Sequence, residues 1–345
     1  MNVLVTGGAG FLMSNVVRAW LMRDASARII ALDAVAPDGS HERFWDHGLS
    51  RVRAVVGDVR DAEMVADLIA DGAIDCVVHG AALTHDDTRE AADPSGYVRV
   101  NVEGTLAVLE AVRRCPTMRQ FTYVSSGAVY GLDATAGAGG QQEDGPLDPQ
   151  ELYGITKRAA EDIVLRYSAL FGLDVRVIRL SALFGPMERV TGARSSTSTP
   201  FLAAQCAASR TPLVVSASAL DLGRDILSAE DAAVGVCDVT RAPGTRHRVY
   251  NVASGRFTTL RMMLSHLTDA LPALEIATQA DSADDARGRR GRAAEADVGP
   301  ALGRFNAYCC SRVKAEFGWT SRPLSQQLES YARWLRADGA PNGPF

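Results

Sequence analysis

Ser126, Tyr153 and Lys157 have the residue types and spacing needed for proton transfer at a hydroxyl group. Tyr153 and Lys157 stand four residues apart, so on a helix they share one face. A phenol with the usual pKa of about 10 is a poor base at neutral pH, but a neighbouring ammonium favours the phenolate and lowers that pKa. A serine hydroxyl can hydrogen-bond an oxygen that changes between alcohol and carbonyl. The set predicts oxidation or reduction at a hydroxyl-bearing carbon.

The N-terminal glycines predict a dinucleotide site. Gly7 and Gly10 lie between an apolar run at 3–6 and a helical pattern from residue 11 to about residue 23. Gly7 permits a tight turn, Gly10 lets the backbone approach a pyrophosphate, and the helix N-terminus offers N–H groups and a positive dipole end. This placement is more specific than the glycine pattern alone. The third glycine of the usual spacing is replaced by Met13, which we expect to push the helix outward or to fill a gap.

Two carboxylates fit the adenosine half of such a cofactor. Asp33 ends the second apolar run, where it can accept hydrogen bonds from ribose hydroxyls and would repel a 2′-phosphate. Asp58, which precedes Val59 after the third run, can meet the adenine amino group. The cofactor is therefore expected to be NAD rather than NADP, with the nicotinamide C4 giving or taking the hydride beside Tyr153.

The elements that position these residues alternate between strands and helices. Strands are predicted at 3–6, 28–32, 52–56, 74–79, 121–125 and 175–180, and helices at 11–23, 61–71, about 94–114 and about 152–171. Apolar strands separated by helices indicate an α/β fold, a Rossmann-type doubly wound parallel sheet whose ligand crevice lies at the carboxyl ends of the strands.

The regular alternation of strands and helices ends after residue 180. Helices are predicted near 201–209, 229–239 and 324–335, strands near 212–215 and 249–252, and a solvated loop at 281–303. We interpret 1–180 as an NAD-binding domain that includes the catalytic residues. Residues 181–345 are interpreted as mainly a smaller C-terminal α/β substrate-binding lobe, with some segments free to return to the core.

Composition and charge limit the classes of partner that we expect for this protein. The 345 residues carry a formal net charge of −5 without a basic stripe, which argues against nucleic acid. No signal peptide and no apolar stretch of about 18 residues is apparent, so we expect no membrane segment. Six cysteines without a CxxC pair are typical of reduced thiols in a cytoplasmic protein. A loop containing His85, Asp86 and Asp87 is interpreted as a polar loop near the substrate mouth, and no metal site is expected.

Over nearly its whole length the chain resembles the extended short-chain dehydrogenase/reductases, also called the NAD-dependent epimerase/dehydratase family, and within it the nucleotide-sugar 4-epimerases. The segments that carry the resemblance are 5–12, 79–82, 101–105, 125–131, 153–157, 179–186 and 224–226. The cofactor-binding residues that the motifs and the resemblance together imply are Gly7, Gly10, Phe11, Leu12, Asp33, Asp58, Val59, Gly80, Ala81, Ala82, Asn101, Tyr153 and Lys157.

The resemblance also implies substrate contacts, an assembly and one structural role. Substrate contacts are expected at Thr84, Ser126, Ala182 and Arg224, and in members that act on nucleotide sugars an arginine at the Arg224 position meets the diphosphate. The asparagine at the Asn101 position tends to be structural in the family. Members often form homodimers through two long helices, here about 94–114 and 152–171.

Two departures from the family pattern narrow the reaction. In the dehydratase branch an Asp-Glu pair follows the catalytic hydroxyl residue and supplies the acid and base for eliminating water; here those positions hold Gly127 and Ala128, which argues against a 4,6-dehydratase. In many nucleotide-sugar enzymes an asparagine stands where this chain has Ala182, so one contact to the nucleotide part is lost.

Three functions remain for comparison. The leading hypothesis is an NAD-dependent epimerase of a sugar, most of all a nucleotide-linked one, that oxidises a ring hydroxyl and returns the hydride to the other face. The alternative is a net NAD-dependent dehydrogenase or reductase of a non-nucleotide hydroxy substrate, such as a sugar acid or a secondary-metabolite intermediate. A catalytically idle NAD-binding regulator is disfavoured by the intact Ser126, Tyr153 and Lys157 set.

Overall fold

A computed structural model describes residues 1–115, 118, 120–131, 139–279 and 307–337. The strands are β1 (Asn2–Thr6), β2 (Arg28–Asp33), β3 (Val52–Val56), β4 (Cys76–His79), β5 (Gln120–Val124), β6 (Val175–Leu180), β7 (Ala182–Phe184), β8 (Leu213–Ser216), β9 (Gly223–Arg224), β10 (Ile226–Ser228), β11 (Val249–Val252), β12 (Thr258–Thr259) and β13 (Ile276–Gln279). The α-helices are α1 (Phe11–Arg23), α2 (Gly39–Phe44), α3 (Ala62–Asp71), α4 (Asp87–Ala92), α5 (Pro94–Tyr97), α6 (Gly104–Arg114), α7 (Leu152–Phe171), α8 (Thr199–Ser209), α9 (Ala229–Arg241), α10 (Leu260–Ala270), α11 (Ser311–Phe317) and α12 (Leu324–Ala337). The loop predicted at 281–303 lies outside the described residues.

The central sheet has seven parallel strands in the order β11-β6-β5-β4-β1-β2-β3. One hydrophobic core packs α1 and α9 against one face, and a second core packs α3, α6 and α7 against the other. Strands buried on both faces read as continuous apolar runs, which is why the sequence pattern located them. The predicted doubly wound α/β fold is confirmed.

The seventh strand of this sheet was not among the six strands predicted for it. β11 was expected as an isolated strand after residue 180, but it pairs in parallel with β6, with Val249 opposite Val177. Helix α9, from the same part of the chain, packs against α1. The chain beyond residue 180 therefore returns to the central sheet, because β11 and α9 carry fully buried apolar side chains that the edge of the sheet and α1 cover.

A smaller lobe forms from the remaining C-terminal elements. Its strands pair as β7 with β10, β8 with β13 and β9 with β12. Helices α8, α10 and α12 enclose a third hydrophobic core that includes Leu213, Leu264 and Tyr331. No helix in the described part of the chain is both long and apolar enough to cross a membrane.

The helical run predicted at about 94–114 is not one regular helix. It consists of α5, a π-helical segment over Val98–Glu103, and α6. The hydrogen bonds of a π-helical turn join residues five apart, one residue more than in an α-helix. Asn101 lies within this wide turn and is buried.

Candidate active site

The predicted site residues gather at one edge of the sheet. Because all seven strands are parallel, their carboxyl ends share an edge, and Gly7, Asp33, Gly80 and Ser126 all lie at or just beyond such ends. The strand order reverses between β1 and β4, since β2 lies on one side of β1 and β4 on the other. A crevice at such a reversal is where doubly wound sheets bind their ligands.

The glycine turn after β1 has the geometry that the sequence predicted. Gly7 has φ +72°, and its N–H donates to the Leu32 carbonyl at 2.8 Å. A Cβ atom at Gly7 would lie 2.9 Å from the backbone nitrogen of Ala81. Helix α1 begins after Gly10 without a side-chain cap and without an acidic residue in its first turn. These N–H groups and the positive helix end fit a pyrophosphate.

The Met13 side chain fills a gap beside Gly80. Its side chain is buried, and its sulfur would lie 2.3 Å from a Cβ atom placed at Gly80. The thioether therefore covers the backbone of the segment after β4. A glycine at position 13 would leave this space empty. The Met13 side chain can occupy it because Gly80 has no side chain.

The two carboxylates lie where they were expected, at the ends of β2 and β3. Asp33 accepts hydrogen bonds from the Ala9 N–H at 3.0 Å and the Val35 N–H at 3.1 Å, so its carboxylate is fixed against the glycine turn. Asp58 is exposed and forms an ion pair with Arg60, whose hydrogen bonds lower the pKa of this carboxyl. The neighbouring Val59 is buried.

Tyr153 and Ser126 are brought together as predicted. Ser126 follows β5, and its Oγ accepts a hydrogen bond from the Ala128 N–H at 3.2 Å. Tyr153 lies in the first turn of α7. Burial raises the pKa of its phenol, whereas the neighbouring Ser126 hydroxyl and the charge of Arg194 lower it. The phenol and the serine hydroxyl therefore lie in the same part of the crevice, as the sequence predicted.

The expected lowering of the Tyr153 pKa by Lys157 does not occur in this geometry. The Lys157 Nζ donates to the Val124 carbonyl at 2.8 Å and lies 4.8 Å from the centroid of the Tyr123 ring. Burial lowers the pKa of Lys157 to about 7, and the charge of Glu161 opposes that shift. Near neutral pH this side chain therefore lies at the boundary between ammonium and amine.

A buried ion pair anchors α7, the helix that carries Tyr153 and Lys157. Glu161, one turn after Lys157 on α7, forms hydrogen bonds with Ser125 and with Arg179, whose Nη2 lies 2.7 Å from Oε2. Arg179 also donates to the Tyr130 hydroxyl and to the Glu143 carbonyl. Hydrogen bonding and the charge of Glu161 raise the pKa of Arg179 despite its burial. The network fixes α7 relative to the end of β5.

Asn101 and Thr84 hold the loop after β4. The Asn101 side chain accepts from the Leu83 N–H at 2.8 Å and donates to the Leu83 carbonyl and to the Thr156 hydroxyl. It is buried beneath the site, a position that matches the structural role the resemblance implied better than a cofactor contact. Thr84 donates from its N–H and its hydroxyl to the Ala193 carbonyl, each at 3.0 Å.

The C-terminal residues approach the site through Tyr308. A Cβ atom at Gly127 would lie 1.9 Å from the Tyr308 hydroxyl, so this phenol occupies the space of a side chain beside Ser126. Arg224 lies on β9, where burial lowers its pKa and Tyr308 opposes that shift. Ala182 begins β7 opposite Ile226. Tyr308 thus links the predicted residue Arg224 to the end of β5.

The polar loop after β4 brings His85 close to two carboxylates. The His85 Nδ1 lies 3.0 Å from Glu151 Oε2, and its Nε2 lies 3.3 Å from Asp87 Oδ1. Within the described ranges, no group of three or more His, Cys, Asp or Glu residues is placed to hold a metal ion. Glu151 directly precedes α7, so this loop lies at the entrance to the catalytic helix.

Sequence reasoning missed three contributors to the site. Glu161 could have been found, because Tyr153, Lys157 and Glu161 recur every four residues along one helical face. Tyr308 and Arg194 carry no local signal, because they reach the site through contacts with Gly127 and Phe11 that are remote in sequence.

Comparisons with known proteins agree with this geometry. The model of the NAD dependent epimerase/dehydratase family matches residues 3–253. A dTDP-glucose 4,6-dehydratase of Mycolicibacterium smegmatis is 37% identical over 190 residues, 55% of this chain and 56% of that protein, so the match spans little more than half of either. A dTDP-glucose 4,6-dehydratase of Streptomyces antibioticus is 34% identical over 278 residues, 78% of this chain and 77% of that protein. The crystal structure of a UDP-glucose 4-epimerase from Thermotoga maritima superposes with a TM-score of 0.78 at 20% identity, covering 97% of this chain and 99% of that one.

Proposed function

The chain belongs to the NAD-dependent epimerase/dehydratase family, and on that premise we propose that it is an NAD-dependent epimerase of a nucleotide-linked sugar. The reaction oxidises one ring hydroxyl, lets the keto sugar turn over, and restores the hydrogen on the opposite face. Bound NAD supplies the hydride acceptor and donor. Because the cycle is redox-neutral, the cofactor needs to be held through many turnovers.

The residues of the site have complementary roles in this proposal. Tyr153 takes the proton of the sugar hydroxyl and returns it after inversion. Ser126, whose hydroxyl neighbours Tyr153 and lowers the pKa of its phenol, holds the sugar oxygen while it is a carbonyl. Lys157 supplies hydrogen-bond donors for the cofactor ribose. Arg224 is proposed to meet the diphosphate of the substrate.

One observation favours epimerisation over dehydration, namely the contact between Gly127 and Tyr308. Elimination of water needs an acid beside the sugar, and the residue after Ser126 has no side chain. The Tyr308 hydroxyl lies 1.9 Å from the position of a Cβ atom there, so the local packing leaves no volume for a carboxylic side chain. Burial and the neighbouring charge of Asp225 raise the pKa of Tyr308, so this phenol stays protonated at neutral pH.

Two relatives named above are dehydratases, which makes dehydration the reaction to test against. A net dehydrogenase acting on a non-nucleotide alcohol remains the second candidate. It is favoured by Ala182, whose methyl group offers no hydrogen bond to a nucleotide sugar at the start of β7.

The test is a product analysis of the protein incubated with UDP-glucose, UDP-N-acetylglucosamine and dTDP-glucose. Epimerisation gives an isomer of unchanged mass without net NADH absorbance, and the isolated protein carries near-stoichiometric NAD. A product lighter by one water would establish a dehydratase. Reduction of added NAD only with a non-nucleotide alcohol would establish the dehydrogenase.

We also infer that the protein forms a homodimer through α6 and α7. Exposed apolar side chains on this pair of helices include Leu106, Ile155, Leu170 and Phe171. Apolar side chains grouped on neighbouring helices favour burial against a second copy. α6 packs against α7, so the two helices offer one continuous surface.

A further inference from the structure

Residues 188–198, which connect β7 to α8, form an ordered strap. Glu188 is buried at its base, where its carboxylate accepts hydrogen bonds from Arg194 at 2.9 Å and from the N–H and hydroxyl of Ser198 at 2.7 and 2.6 Å. The backbones of Thr191 and Arg194 also exchange hydrogen bonds, at 2.7 and 3.2 Å. A buried carboxylate with three donors fixes the shape of the segment.

The strap is fastened to both walls of the crevice. On the β1 side, Arg189 donates to the carbonyl of Ala9 in the glycine turn at 3.2 Å. On the β4 side, the Ala193 carbonyl accepts two hydrogen bonds from Thr84, and the Gly192 carbonyl accepts one from Arg89. A group bound between the glycine turn and the loop after β4 therefore lies beneath the strap.

Arg194 is the charged group that the strap brings over the crevice. Its guanidinium carbon lies 5.0 Å from the centroid of the Phe11 ring, at the first residue of α1. The charge of Arg194 also lowers the pKa of Tyr153. Glu188 accepts a hydrogen bond from the Arg194 Nη2. The Arg194 Nε is buried without a hydrogen-bond partner among the described residues. A buried donor without a protein partner is available to hydrogen-bond a group bound in the crevice.

We propose that Arg194 binds a phosphoryl oxygen of the dinucleotide pyrophosphate, and that the strap must open before the cofactor can leave. A pyrophosphate bound at the N-terminus of α1 would lie beside Phe11, and the Arg194 guanidinium lies against the ring of that residue. A guanidinium provides donors in a fork that suits phosphate geometry. The inference rests on the NAD site of the proposed function but not on which reaction follows.

The strap gives a physical reason for cofactor retention. Release requires breaking the Arg194 contact and the hydrogen bonds that join the strap to Ala9 and to Thr84. A redox-neutral epimerase gains from slow release, because its NAD is regenerated within each cycle. A net dehydrogenase exchanges its cofactor every turnover and would be slowed by the same strap.

The experiment measures NAD release from the loaded protein. Each NAD that dissociates is trapped by added alcohol dehydrogenase with ethanol, and the NADH formed is followed by absorbance. Arg194→Met is expected to release NAD about 10- to 100-fold faster than the native protein, the effect of losing a hydrogen bond to a charged group. Arg194→Lys, which keeps the charge without the fork, is expected to be several-fold faster. Arg261→Met, at an exposed arginine paired with Asp221 on the smaller lobe, should leave the rate unchanged.

A second arm separates the two diphosphates that could meet this arginine. The affinity of the NAD-loaded protein for UDP and dTDP should be the same in Arg194→Met and the native chain. An unchanged NAD release rate overturns the proposal, and so does a loss of UDP or dTDP affinity in place of faster release, which would assign Arg194 to the substrate. Should Arg194→Met fail to fold, Arg194→Lys carries the same test. No sugar turnover is measured, so failure of the epimerase proposal would leave these outcomes intact.

Discussion

Replacing Gly127 by alanine places a methyl group where the Tyr308 hydroxyl already lies. The added Cβ would be 1.9 Å from the phenol oxygen and 2.5 Å from the ring carbon that bears it. Tyr308 is held in place, because its ring lies 5.6 Å from that of Tyr130 and its N–H donates to Asp225 at 3.2 Å. Gly127 has a right-handed backbone within a 3₁₀ turn, so alanine adds no backbone strain there. We expect overpacking to destabilise the variant by about 1–3 kcal/mol.

A double-mutant cycle isolates this contact. Tyr308→Ala alone leaves a cavity and is expected to lower the free energy of unfolding by about 3–5 kcal/mol. In the variant that combines Gly127→Ala with Tyr308→Ala, the new methyl group enters space that the ring has vacated. The combined loss should therefore be smaller than the sum of the two single losses by about 1–3 kcal/mol.

Urea denaturation of the three variants and the native chain measures the cycle. Gly192→Ala is the matched control, because a Cβ atom at Gly192 meets no atom within 4 Å and the substitution removes similar backbone freedom from the unfolded chain. A Gly127→Ala protein as stable as the Gly192→Ala control, or strictly additive losses, would refute the reasoning. Space for an acidic side chain would then exist beside Ser126, and the preference for epimerisation over dehydration would lose its main support.

Four further predictions follow from the site and its supports. Tyr153→Phe should lower kcat about 100- to 10,000-fold while NAD stays bound, measured by turnover and cofactor content. Arg179→Met should lower the free energy of unfolding by about 3–5 kcal/mol, because Glu161 is then a buried charge without its partner. Burial, with the charge of Lys157, lowers the pKa of His79 from 6.5 to about 3. Between these pH values the unfolded chain binds a proton at this histidine and the native chain does not. The free energy of unfolding should therefore fall as the pH drops from 6.5 to 3, by at most about 1.4 kcal/mol per pH unit. Leu170→Glu should convert the proposed dimer to monomers in sedimentation experiments, because it buries a charge at the interface.

Each of these outcomes has a specific control. Most activity retained in Tyr153→Phe would remove that residue from the chemistry. The control for Arg179→Met is Arg261→Met, at an exposed arginine. Its free energy of unfolding should lie within about 0.5 kcal/mol of that of the native protein. The pH slope between 6.5 and 3 should shrink in His79→Gln, and an identical slope would assign it to other groups. Leu222→Glu, at an exposed leucine on the smaller lobe, should not change the oligomeric state.

The parts of the fold that follow from local pattern could be predicted from the sequence. β1 through β6, α7 and the glycine turn were located within a few residues, because buried parallel strands and amphipathic helices leave periodic apolar runs. The placement of β11 could not be read in the same way. Its four residues are compatible with any half-buried strand, and only the free edge of β6 decides where it pairs.

The site shows the same division. Tyr153, Lys157 and Ser126 stand in recognisable spacing, and the fold brings their segments to one edge. The direction of the Lys157 side chain depends on the Val124 carbonyl and the Tyr123 ring, which no spacing reveals. The electrostatic setting of the phenol therefore had to come from the structure.

The π-helical turn at Val98–Glu103 sets how α6 is rotated about its axis relative to Asn101, which lies within the turn. An α-helix rotates by about 100° per residue, so the additional residue in the π-helical turn changes which side of α6 meets the sheet. Asn101 can face Leu83 and Thr156 while Val108 and Val112 of α6 remain in the core. If one residue were removed from this turn, Asn101 could not face Leu83 and Thr156 while Val108 and Val112 stay in the core. The length of the segment and the amide of Asn101 thus together couple the loop after β4 to the packing of the sheet.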